Sequence, residues 1–168
     1  MRAALRWLAD HPRALPAAVV AWCLALLGFG LYLQHVVGLE PCPMCVVQRY
    51  ALVGVALLAL AAALLPRAGQ LALQALAAVV AGFGAFVAAR QSWLQWFPPE
   101  IQTCGRDFYG MIEAFPLRRA IPMIFRGTGD CSAVDWTLLG LTIANWSFLN
   151  FVALAAALLA GLALGGRR

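Results

Sequence analysis

Lysine is absent from this chain, and acidic residues are scarce: Lys+Arg total 12, all of them arginine, against Asp+Glu 7 in 168 residues. Charged residues make up only 11%, where a soluble domain carries about 25%. With 64% hydrophobic residues, that shortage excludes an ordinary water-soluble globule. Short alternating apolar and polar segments are also missing, which argues against a membrane β-barrel. The apolar runs are long and continuous, so the spanning elements read as helices. The net charge of +5 is scattered over membrane edges and chain ends instead of forming a stripe. That argues against nucleic-acid binding and for topology signals and headgroup contacts.

Four stretches supply the roughly 20 apolar residues that a helix needs to cross a bilayer. They run from about residues 15–37, 46–65, 71–89 and 148–164. The expectation is a single domain over 1–168, an all-α membrane protein built as an antiparallel four-transmembrane-helix bundle. The first span follows a basic start, Arg2, Arg6 and Arg13, as a signal peptide does. It is too long for a signal-peptide core and no small-residue cleavage site precedes the polar turn, so it reads as a retained anchor. Short connections at about 38–45 and around Arg67 force antiparallel neighbours.

Orientation follows the arginines. The N-terminus, the Arg67 turn and the C-terminal Arg167 and Arg168 belong on one side, which is cytoplasmic. The turn holding Glu40 and the long connection of about 90–147 belong on the other. In that connection Phe108, Met111, Ile112 and Phe115 recur at helical spacing, bounded by Gly105 and Pro116. A short interfacial helix is expected there, apolar side down, with Arg118 and Arg119 reaching phosphates. Packing on the outer end of the bundle is the alternative.

Cysteine placement carries the chemistry. Cys42, Cys45, Cys104 and Cys131 fall on the outer side, whereas Cys23 lies within the first span as a small apolar filler. The stretch "GLEPCPMCVVQRY" makes a C-x-x-C of Cys42 and Cys45. Haem attachment would need a following histidine, and Val46 stands there. Zinc held by four thiolates, a structural pair of disulfides and a reactive redox pair all remain open on the motif alone. The surroundings favour the reactive pair. Cys45 stands in the first turn of the second span, where unpaired N–H groups favour an anion. Pro41 and Pro43 stiffen the turn, and Arg49 shares a helix face with Cys45. A charge at the edge of a span needs a partner or must snorkel, so Arg49 is expected either at a headgroup or facing inward toward a thiolate or polar ligand. Cys104 and Cys131 lie in water-facing loop, where a disulfide is open to a partner's thiolate. The layout suggests a relay from a soluble dithiol to a lipid-soluble acceptor, without a metal.

These residues resemble the DsbB family of bacterial inner-membrane disulfide-forming proteins. The similarity lies in "QHVVGLEPCPMCVVQRYALVGV", "WLQWFPPEIQTC" and "PMIFRGTGDCSAVDWTLLGL". It implies a protein-disulfide:quinone oxidoreductase that reoxidises a periplasmic DsbA-type thioredoxin-fold oxidase and passes electrons to ubiquinone or menaquinone. The resemblance gives Cys104 the attack by the partner, and Cys131 the exchange with Cys42. It gives Cys45 the contact with, and addition to, the quinone ring, with Arg49 holding the quinone oxygen. Gln95 and Gln91 would line or support the quinone pocket, and Trp136, also counted among the quinone-binding residues, would sit near the second pair. Where some family members carry histidine near the end of the third span, this chain has Gln91, which cannot titrate near neutral pH. The only histidine nearby, His35, reads as an interfacial residue. The resemblance further implies a multi-pass monomer of the inner membrane, with lipid and quinone as partners and both termini cytoplasmic. A vitamin-K-epoxide-reductase-like protein also couples C-x-x-C to quinone, but there the motif sits later in the chain. The alternative of another class is a non-catalytic membrane scaffold with structural disulfides.

Overall fold

A computed structural model of the chain describes residues 11, 13–98, 122, 125, 132 and 134–165. Among the described residues the chain forms α1 (Ala14–His35), α2 (Pro43–Leu64), α3 (Arg67–Trp96), a small hairpin of β1 (Thr137–Leu138) and β2 (Leu141–Thr142), and α4 (Ile143–Gly165). Among the described residues these 4 helices are long and apolar enough to cross a membrane. The expected interfacial helix, with Arg118 and Arg119, lies outside the described residues, as do Cys104 and Cys131.

Local chemistry sets the helix ends. Pro66 has no N–H to donate into α2 and sits as N-cap of α3, with φ −64° and ψ 162°. The Gln70 amide closes the first α3 turn on the Pro66 carbonyl at 2.9 Å. So tight a link turns α3 back along α2, as the short connection requires. At the same end the Arg67 guanidinium donates to the Gly165 carbonyl at 3.3 Å, tying the start of α3 to the end of α4. A helix C-terminus leaves carbonyls without intrahelical partners, and arginine is well suited to take one.

The third helix differs most from its apolar run. Sequence hydropathy places its end near residue 89, yet α3 continues to Trp96 and spans 30 residues. The added turns carry Gln91, Ser92 and Gln95, polar residues that a bilayer penalises but a protein interior can satisfy. Two of them find side-chain partners inside the bundle, described below. The fourth helix likewise begins earlier than its apolar run, at Ile143. Thr142 caps it, its Oγ1 accepting from the Asn145 amide at 3.3 Å.

The helices pack in sequence order, α1 on α2, α2 on α3 and α3 on α4. The α2–α3 seam is built from Ala51, Val55, Ala56 and Ala59 against Ala77, Ala78 and Ala81. Hydrophobic burial does not drive helices together inside lipid, so close backbone approach and van der Waals contact must do so, and small residues permit it. Phe151 of α4, 1% exposed, lies against Gly84 of α3. A Cβ at Gly84 would stand 2.3 Å from the phenyl ring, so only glycine fits beneath it. Large apolar side chains such as Leu57, Val79, Phe86 and Leu159 point outward, as lipid-facing residues do.

The hairpin was not legible from hydropathy. Leu139 and Gly140 turn it with φ 54° and 78°, the pair of positive values that a two-residue type I′ connection needs. It brings Trp136 to the mouth of the bundle, where its ring meets Phe29 edge-on at 6.0 Å between centroids.

Candidate functional site

The C-x-x-C lies at the N-terminus of α2. Cys42 is the N-cap, with extended backbone (φ −64°, ψ 160°), and its Sγ accepts from the Cys45 amide at 3.3 Å. Pro43 occupies the first helical position, where its missing N–H costs nothing. Sequence reasoning assigns the benefit of the helix N-terminus to Cys45. In the structure the first-turn amide is aimed at the sulfur of Cys42, so that sulfur receives the most direct share of it.

A second donor reaches both sulfurs. The Gln91 carboxamide, on α3, donates through Nε2 to Cys42 Sγ at 3.3 Å and to Cys45 Sγ at 3.3 Å. Its own Oε1 accepts from Gln48 Nε2 at 2.7 Å. Gln48 and Gln91 are each 4% exposed. Met44, Val87 and Leu94 pack around Cys42, with Phe125 against the cluster. Arg90, next to Gln91, turns its Nε to the Phe125 carbonyl at 3.3 Å.

Arg49 turns toward α1. Its guanidinium donates to the Gln34 side-chain oxygen and, at 3.0 Å, to the Gly30 carbonyl, both on α1. A guanidinium carries five N–H donors, so α1 fixes its place without exhausting it. Beside it opens a cavity of about 280 Å³ between α1, α2 and α4. Leu26, Phe29, Leu33, Leu52, Phe151 and Trp146 give it apolar walls, while Cys45, Gln48, Arg49 and Glu40 bring polar atoms to it. Trp136 closes part of the mouth. The cavity therefore places a sulfur and a guanidinium on one wall of an otherwise greasy space.

The other candidates fall around this centre. Gln95 lies one turn beyond Gln91, and its Oε1 accepts from Thr142 Oγ1 at 2.7 Å, joining α3 to the cap of α4. Neither Gln95 nor Gln91 is among the cavity-lining residues. His35 is exposed at the end of α1. Cys23 is buried in the core with Val19 and Ala51.

Three partners escaped sequence reasoning. Gln34 is a polar residue near the end of an apolar helix, a signal of the same kind as Arg49 but weaker, because it carries no charge. Gln48 reads only as extra polarity in α2, because its partner lies 43 residues away. Thr142 needs the hairpin before its role as cap and as partner of Gln95 can be seen.

Comparison with known proteins decides the family. The family model described as "Disulfide bond formation protein DsbB" matches residues 12–161. The chain belongs to the DsbB family. A protein called "Disulfide bond formation protein B" from Acidovorax sp. (strain JS42) is 65% identical over 164 residues, covering 97% of this chain and 94% of the relative. Its namesake from Polaromonas sp. (strain JS666 / ATCC BAA-500) is 67% identical over 145 residues, covering 86% of each. The one from Azoarcus sp. (strain BH72) is 58% identical over 158 residues, covering 93% and 94%. The match to the DsbB model takes in all four helices except the last residues of α4.

Proposed function

We propose that this DsbB-family bundle is a protein-disulfide:quinone oxidoreductase of the bacterial inner membrane. It reoxidises a periplasmic DsbA-type thioredoxin-fold oxidase and passes the electrons to membrane quinone. The observation that carries the proposal is the shared wall of the cavity, where Cys45 and Arg49 meet an apolar space opening between helices. A flat apolar ring with oxygen atoms at its edge suits such a space: apolar walls take the ring, and a guanidinium takes an oxygen. When bound, a quinone supplies an acceptor for two electrons and two protons.

This chain's residues do the rest. Cys104 takes the attack of a reduced partner, and a second partner thiolate releases the partner as a disulfide. Two electrons then rest on Cys104 and Cys131. Cys131 exchanges onto Cys42, so that the loop disulfide re-forms and Cys42 and Cys45 hold the dithiol. When that dithiol closes again to a disulfide it gives up two electrons and two protons, which balances the acceptor. Each exchange needs a thiolate in line with a disulfide sulfur. The Cys45 amide at Cys42 and the Gln91 amide at both sulfurs favour that form. Arg49, anchored on α1, offers fixed positive charge to an anion in the cavity. The cytoplasmic placement of both termini rests on the arginine distribution.

The test is steady-state turnover of the purified full-length protein in detergent. A reduced DsbA-type donor is supplied with a ubiquinone or menaquinone analogue, and quinone absorbance is followed. Donor-dependent loss of absorbance that disappears in Cys45→Ser is the expected result. Folded protein that turns over neither quinone overturns the proposal and favours a scaffold with structural disulfides.

A further inference from the structure

Gln48 and Gln91, two of the buried glutamines, are more than an unusual way to fill the seam between α2 and α3. A primary carboxamide has two N–H donors and one carbonyl acceptor. At Gln91 all three are used: the carbonyl takes Gln48, and the amide nitrogen serves both cysteine sulfurs. The orientation is set by Gln48. Were Gln91 to turn over, its NH₂ would meet the NH₂ of Gln48, and its carbonyl oxygen would face two sulfurs. The first contact would be repulsive, and so would the second against a thiolate or a disulfide, between side chains that are each 4% exposed.

We propose that Gln48 and Gln91 form a two-amide device that sets the redox equilibrium of the Cys42–Cys45 pair. Gln91 is the catalytic residue of the two, touching both reacting sulfurs. Gln48 is a positioning residue that acts through it. This deepens the proposed function and rests on reading Cys42 and Cys45 as a redox pair.

The physical reason is a difference between the two states of the sulfurs. Reduction of the pair breaks its S–S bond, takes two electrons from an incoming dithiol that becomes a disulfide, and leaves two sulfurs sharing up to two protons. A thiolate accepts an N–H hydrogen bond strongly, and a disulfide sulfur accepts it weakly. Donors held at both sulfurs therefore stabilise the reduced pair, and a stabilised reduced form makes its disulfide a stronger oxidant. An amide does this without a proton to lose, so the device supplies no protons itself. The charged groups nearby are arranged around it and not in it. Glu40 and Arg49 share the cavity with Cys45, and Arg90 is turned to the Phe125 carbonyl.

The experiment equilibrates full-length protein with dithiothreitol redox buffers in detergent. Acid quenching, alkylation and peptide mass spectrometry then give the dithiol fraction at Cys42 and Cys45. Two isosteric pairs of variants separate electrostatics from shape. Gln91→Leu removes both donors and should lower the constant for reduction about tenfold. Gln91→Glu keeps the shape and the acceptor for Gln48, yet sets a carboxylate against the sulfurs, and should lower the constant about a hundredfold. Gln48→Glu draws the Gln91 NH₂ toward itself and should lower it about tenfold, more than the twofold or threefold of Gln48→Leu. Gln48→Glu combined with Gln91→Leu should equal Gln91→Leu alone, because Gln48 acts through Gln91.

A merely structural clamp predicts the reverse order, with each glutamate milder than its leucine. That order, or unchanged constants in all four variants, overturns the inference, even if the wild-type protein reduces quinone. The proposed order combined with no quinone reduction by the wild type would sustain the inference and remove the quinone.

Discussion

The α2–α3 seam has two halves that obey different rules. In its middle, Ala51, Val55 and Ala59 of α2 face Ala77 and Ala81 of α3, and beside it Gly84 of α3 lies beneath Phe151 of α4. Nothing there can donate a side-chain hydrogen bond, and cohesion comes from closeness. One or two turns toward the cysteine end, the same helices bring Gln48 and Gln91 together at 2.7 Å and set them against two sulfurs. Burying those amides is costly unless every group is partnered. Packing would be served as well by alanine and leucine. The middle of the seam is held by shape, and the cysteine end by polar partners set against two sulfurs.

The largest expected effect breaks the cysteine end. Arg49→Leu should reduce kcat/KM for quinone about a hundredfold, since a charge-assisted donor on the cavity wall is lost. Thermal unfolding should change little, because removing a charge from a span relieves its own cost. Steady-state kinetics beside a melting curve reads both.

The next effect breaks the middle and should show the opposite pattern. Gly84→Ala pushes a methyl into the Phe151 ring, which must shift. A loss of about 1–3 kcal/mol is expected from overpacking, partly offset by the roughly 1 kcal/mol that alanine gains over glycine in a helix. Denaturation in detergent measures it. The redox equilibrium of Cys42 and Cys45 in folded protein should stay at its wild-type value.

A smaller effect sharpens the boundary between the regions. Gln34→Leu takes away one of the two α1 anchors of Arg49 but leaves the Gly30 carbonyl. KM for quinone should rise about threefold to tenfold, with kcat nearly unchanged, if the anchor positions the guanidinium for binding. The smallest effect concerns Gln95, which bridges to Thr142 outside the cavity. Gln95→Leu should cost about 1 kcal/mol of stability and leave turnover within about twofold.

Much of this was open to reading in the chain. Four apolar runs announce four spanning helices, because length and continuity are all that a bilayer demands. The C-x-x-C with Arg49 four residues beyond Cys45 marks one helix face, and Cys45 and Arg49 both line the cavity. What could not be read depends on contacts between elements far apart in sequence. Hydropathy ends α3 near residue 89, because glutamine scores as polar wherever it stands. Only the fold shows that Gln91 and Gln95 are partnered, one by sulfurs and one by Thr142. The hairpin at Leu139 and Gly140 stayed hidden because its strands are two residues each and its turn depends on a leucine at positive φ.

The most direct test of the account asks where the electrons of the membrane-edge pair go. The full-length protein carrying Cys104→Ser and Cys131→Ser is fully reduced, freed of reductant and mixed anaerobically with a ubiquinone or menaquinone analogue. Quinone absorbance and the remaining thiols at Cys42 and Cys45 are measured over one turnover. One quinone reduced for each Cys42–Cys45 dithiol that becomes a disulfide is the expected result. Unchanged absorbance, or quinone loss while both thiols persist, would contradict it.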